Sequence, residues 1–98
     1  MAQTKVAQTI FRQINGPKLG LMVGAHSFVG DENSLSFKFK GSKKSNYCKI
    51  TLNGFDLYDV EFKKIRGFDV KNINSIDNLY YDQLLNVFEK ETGLYTSL

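Results

Sequence analysis

The chain has 98 residues, which fits one domain, since single cores take about 50–200 residues. Hydrophobic residues make up 42% and aromatics 13%, with eight Phe and five Tyr but no Trp, a composition that excludes a disordered chain. The formal net charge of +3 is mildly basic: it excludes a wholly acidic DNA mimic and falls short of the dense Lys/Arg content of a dedicated DNA coat.

Residues 4–15 have helical periodicity. Val6, Ala7, Ile10, Phe11 and Ile14 share one side, and Gln3, Lys5, Gln8, Arg12 and Gln13 take the other. Gly16-Pro17 predicts a stop, with glycine in the left-handed cap and proline unable to continue. The apolar run 19–25 (Leu-Gly-Leu-Met-Val-Gly-Ala) then reads as a first strand weakened by its glycines and continued by residues 26–29. Gly30-Asp31-Glu32-Asn33-Ser34 is a polar turn.

Three stretches follow in which apolar and polar residues alternate one for one: 35–40, 48–52 and 58–63. A period of two puts each apolar set on one face of a strand, so the middle of the chain is an antiparallel sheet with one oily and one wet face. Pairing Phe39 with Cys48, Phe37 with Ile50 and Leu35 with Leu52 keeps the faces consistent, leaving Lys40 opposite Tyr47 and 41–46 as the loop. For the next pair, a tight turn at Asn53-Gly54 would drive Asp59 into the core. Pairing Leu52 with Tyr58, Ile50 with Val60 and Cys48 with Phe62 avoids this and makes 53–57 the loop. Residues 68–74 form a fifth, edge-like strand or an ordered loop. Ser75 or Asp77 caps a helix running to about Thr92, closed by Gly93 with Leu94 folding back on Phe88 and the tail 95–98 packed. The expected architecture is α+β: one domain over residues 1–98, an antiparallel sheet of three to five strands, with N- and C-terminal helices packed on its oily face.

The wet face carries Ser36, Lys38, Lys40, Tyr47, Lys49, Thr51, Asp59, Glu61 and Lys63, with Lys38 facing Lys49, Lys49 facing Glu61 and Tyr47 between Lys40 and Lys63. As a site, this is a basic, aromatic surface that tracks phosphates and stacks a base. As a non-site, it is a solvated sheet face with compensating charges, which Asp59 and Glu61 favour. The loop 41–46, with Lys43 and Lys44, is the densest basic patch. It reads as a phosphate or acidic-partner contact, or more ordinarily as a soluble hairpin tip. Phe28, Phe55, Leu57 and Phe68 lie in or near turns. They make either a satellite core or a sticky patch for a partner or a second copy.

Catalytic chemistry finds little footing. The single Cys48 sits among core positions, and one Cys with one His rules out an ordinary zinc site from one chain. His26 lacks a defensible triad, Gly20 and Gly24 make no phosphate-binding motif, and Asp56, Asp59 and Glu61 lack calcium-loop spacing. No cofactor and no enzyme activity are expected. The N-terminus has no signal-peptide apolar run and no window approaches the ~18 apolar residues of a membrane span, so the expected location is cytosolic, with no membrane partner.

The segments Lys49-Ile50-Thr51-Leu52-Asn53, Asp56-Leu57-Tyr58-Asp59-Val60-Glu61-Phe62 with Lys63-Lys64-Ile65-Arg66, and the closing Thr92-Gly93-Leu94-Tyr95-Thr96-Ser97-Leu98 resemble a family of small phage and mobile-element proteins. The likeness runs over residues 19–98. It implies a small protein in the cytosol of an infected bacterium, of a kind that binds host machines such as CRISPR and other defence effectors. The leading expectation is therefore a non-enzymatic phage accessory protein that inhibits or redirects a host protein complex, anti-CRISPR action included. Its contacts would come from the wet face and the Phe55 loop. The alternatives are a nucleic-acid-binding module using Lys38, Lys40, Lys43, Lys44, Tyr47, Lys49 and Lys63, and a structural homo-oligomer assembled through an open sheet edge.

Overall fold

A computed structural model describes residues 5–94. Its elements are helices α1 (Lys5–Gln13) and α2 (Gly16–Val23), then strands β1 (His26–Gly30), β2 (Ser34–Lys38), β3 (Tyr47–Leu52), β4 (Tyr58–Arg66) and β5 (Asp69–Leu79). A short 3-10 turn at Tyr81–Gln83 leads into α3 (Leu84–Thr92). The strands form one antiparallel five-stranded meander in chain order, β1-β2-β3-β4-β5. The architecture is α+β as expected, but with two N-terminal helices where the sequence predicts one, and one C-terminal helix. Thr4 and the tail 95–98 lie outside the described residues.

The period-two faces form as expected. Leu35, Phe37, Phe39, Cys48, Ile50, Tyr58, Val60 and Phe62 are buried, and they share one core with Ala7, Ile10, Ile14, Leu19, Val23, Leu84 and Phe88 from the helices. The β3–β4 register is the predicted one, with Leu52 opposite Tyr58, Ile50 opposite Val60 and Cys48 opposite Phe62. The β2–β3 register is not: Leu35 pairs with Ile50 and Phe37 with Cys48, two residues away from the expected pairing. A slip of two leaves every side chain on its own face, so hydrophobic pattern cannot distinguish the two registers. Hydrogen bonds decide. Asn46, not Tyr47, closes the pair, its carbonyl accepting from the Phe39 N–H (3.1 Å), while the Lys40 N–H turns away to the Val23 carbonyl (2.9 Å).

Residues 19–23 are helix, not strand. Asn15 takes the left-handed conformation expected of Gly16 (φ 54), and Pro17 sits in the first turn of α2, where its missing N–H costs nothing. Gly16 is buried because a Cβ there would overlap the Phe11 ring. Leu19 and Val23, one turn apart, face the core, whereas Leu21 is exposed; left-handed Gly24 then ends the helix. Residues 26–29 do form a strand, bulged between His26 and Val29 with Ser27 at φ 56.

A third correction is at the C-terminal side. Of the segment 68–74, Phe68 is in the turn and the rest belongs to a long edge strand that runs from Asp69 to Leu79, so Ser75 and Asp77 cap no helix. Asn78 bulges at φ 60 with its N–H donating to Asp59 Oδ1 (3.0 Å), and Leu79 is buried opposite Tyr58. Helix formation waits for Tyr80, whose N–H donates to Gln83 Oε1 (2.9 Å), and α3 begins at Leu84. Gly93 closes it at φ 75 as predicted, and Leu94 is half-buried against the core.

Phe88 anchors α3. Its ring lies 4.9 Å from Phe39, 6.0 Å from Phe37 and 6.2 Å from Phe62, centroid to centroid. Phe28, from the list of turn aromatics, joins the same array through Phe11 (4.9 Å) and Phe37 (5.3 Å), and so belongs to the core fringe. Phe88→Ala is expected to cost about 3–5 kcal/mol. Thermal unfolding should register this as a fall of more than about 10 °C.

Candidate functional site

The eight residues singled out in the sequence do not converge on one site. Lys38, Tyr47 and Lys63 form a row across β2, β3 and β4 on the helix-free face, with Lys49 opposite Glu61 as expected. Lys38 faces Tyr47 rather than Lys49, a consequence of the two-residue slip. The charges of this face are answered only in part within it. Lys63 Nζ is 3.9 Å from Glu61 Oε2 and 5.9 Å from the centre of the half-buried Tyr47 ring. Lys49 and Lys63 thus share one acid, Glu61. Lys40 has left the row: its stem packs along Gly24 at the C-terminal end of α2, where a cation is favourable.

Phe55 sits at the far end of β3 and β4. Asn53 builds its loop by accepting the Phe55 N–H (2.8 Å) and the Leu57 N–H (3.2 Å) on Oδ1, and by donating its amide to Asp59 Oδ1 (2.9 Å) and Asn78 Oδ1 (2.8 Å). The loop is fixed, yet Phe55 is 80% exposed while Leu57 is half-buried.

Lys43 and Lys44 acquire partners that sequence reading missed. They join Lys64 and Arg66 of β4 and Asp69, Lys71 and Ile73 of β5 around a groove of about 340 Å³. Five cations face a single carboxylate there, an excess larger than the whole chain's net charge of +3. The signal was present at Arg66-Gly67-Phe68-Asp69. Gly67, at φ 60 in the first central position of a two-residue hairpin turn, sets Ile65 against Val70 and Lys64 against Lys71. Lys64 directly opposite Lys71 is a like-charge cross-strand pair, which works against the sheet.

Asn46 holds loop 41–46 to this hairpin. Its carboxamide grips both backbone groups of Ile65, donating Nδ2 to the carbonyl (2.8 Å) and accepting the N–H on Oδ1 (2.8 Å), while its own N–H donates to the Lys63 carbonyl (3.0 Å). A side chain thus continues the ladder beyond the end of β3. Asn46→Ala strands two part-buried backbone groups and is expected to cost about 1–3 kcal/mol. Amide hydrogen exchange should locate the loss, with Ile65 exchanging faster and Val60 keeping the protection of the global fold.

Cys48 is buried, and burial, reinforced by the Glu61 carboxylate, pushes its thiol far above the usual range. Burial also raises Tyr58, against a Gln13 hydrogen bond that lowers it. Since the folded thiol is harder to ionise than the unfolded one, its stabilising contribution is complete below the unfolded pKa of about 8.5 and is lost as pH rises above it. Between pH 7 and 9.5 this is on the order of 1 kcal/mol. Denaturant melts of wild type and Cys48→Ala at the two pH values should differ by that slope. His26 lies exposed at the β1 bulge with Nδ1 3.0 Å from Ser27 Oγ.

Among the described residues, no group of three or more His, Cys, Asp or Glu is placed to hold a metal ion, and no helix is long and apolar enough to cross a membrane. Comparison with protein-family models, curated proteins and solved structures finds no match to this chain.

Proposed function

We propose that this chain is a non-enzymatic nucleic-acid-binding module that grips the phosphate backbone in the groove between loop 41–46 and the β4–β5 hairpin. The observation that carries the reading is the Lys64–Lys71 pair inside a cluster with Lys43, Lys44 and Arg66. Like charges placed opposite one another cost the sheet stability, and a polyanion relieves that cost. Phosphate contact asks for density of charge in a concave place, which the groove has to a greater degree than the helix-free face, where Lys49 and Lys63 share Glu61. The buried thiol of Cys48 is withdrawn from nucleophilic chemistry, which supports binding over catalysis.

Fluorescence anisotropy with labelled oligonucleotides across a salt series tests this. Lys64→Ala/Lys71→Ala should weaken binding about ten-fold or more and lower the log–log salt slope by about two. Its folding stability should hold or rise by up to about 1 kcal/mol. Lys49→Ala should bind as wild type does. Equal losses from Lys49→Ala and the double variant would remove the groove from the explanation.

A second reading is favoured by the Asn53 loop, which spends four hydrogen bonds holding an exposed Phe55 in place. A rigid aromatic anchor suits a protein partner. With the likeness to phage proteins, this supports an accessory protein acting in the bacterial cytosol on a host protein complex, defence effectors among them. The two readings part in a pull-down from nuclease-treated lysate. A host protein that survives nuclease and is released by Phe55→Asp supports the anchor, whereas capture that collapses on nuclease treatment supports the groove.

A further inference from the structure

Phe68 is fully exposed at the tip of the β4–β5 hairpin. The turn needs a left-handed residue at Gly67 and nothing apolar after it, so the fold does not account for this ring. Arg66, two residues before it, and the adjoining Asp69 both line the cationic groove, so the turn that carries Phe68 borders the groove. Tyr47, the stacking residue suggested by the sequence, is half-buried with the Lys63 ammonium over its ring.

We propose that Phe68 is a base-stacking residue, and that the groove's occupant is a single-stranded nucleic acid rather than a duplex. The inference rests on the nucleic-acid reading above. A duplex hides the faces of its bases against one another, whereas a single strand offers each face to an aromatic ring while its phosphates follow the cations. Groove and ring together form that pair of contacts: charge along the backbone, one flat apolar surface where a base turns out. The apolar surface at the tip, Phe68 with the partly exposed Val70, is small and bracketed by Arg66 and Lys71, which fits one base better than insertion into a lipid bilayer.

The chain contains no tryptophan, so Phe68→Trp installs a unique reporter at an exposed position. Titrated with a 15-nucleotide oligothymidylate (a length of about one to four such sites), this variant should show strong quenching at wild-type affinity. Phe68→Ala should lose about ten-fold in single-strand affinity while its salt slope and its affinity for a duplex of equal length stay unchanged. The proposal is overturned if Phe68→Ala binds the single strand as wild type does, if wild type prefers the duplex, or if the tryptophan responds only to anionic lipid vesicles or to polyglutamate. In the first two cases the groove still binds nucleic acid and only the stacking role falls. If wild type binds neither oligonucleotide, the nucleic-acid reading falls as well.

Discussion

The ring of Phe88 is the contact on which the arrangement hangs. It touches Phe37 near the end of β2, Phe39 just beyond that strand and Phe62 in the middle of β4, and so spans β3 from one neighbour to the other. A nine-residue helix such as α3 has little stability of its own in water and exists by this packing. In return it covers the oily face where the strands alone would leave it wet. With all three helices on that side, ligands are left the opposite face and the two ends of the sheet. On the opposite face Lys49 and Lys63 share Glu61, whereas at the hairpin end five cations meet a single carboxylate.

Those ends are built by two asparagines, one on each side of β3. Asn46 reaches past the last ladder bond to take both backbone groups of Ile65, and Asn53 gathers the N–H groups of the next loop and ties them to Asp59 and Asn78. A carboxamide carries a donor and an acceptor at the spacing of a peptide group, so it can stand in for backbone where the strand has run out. At one end the result is a cationic groove, at the other a displayed phenylalanine.

Alternation made the sheet faces legible, because a misplaced strand would have put Asp59 or a lysine in the core. It said nothing about the β2–β3 slip, since a shift of two residues leaves the same faces and only the Asn46 and Lys40 hydrogen bonds choose between them. Helix α2 was obscured by its glycines, which read as a weak strand although Pro17, the Leu19–Val23 spacing and Gly24 together describe a short helix. The continuation of β5 to Leu79 was hidden because its exposed residues follow two bulges rather than a clean period. The candidate site was half legible: Lys43 and Lys44 stand together in the chain, but Lys64, Arg66 and Lys71 reach them only through the hairpin turn at Gly67-Phe68 and the Asn46 bridge.

The meander has a kinetic side. Every strand pairs only with its neighbours in the chain, so no long loop has to close before a ladder can begin. Sheets of this kind have low contact order for their class and assemble faster than those with crossed connections. The shortest of these closures is the two-residue turn between β4 and β5. The cationic hairpin can therefore close without waiting for the rest of the sheet, and its own like-charge pair slows the very step that the short turn makes quick.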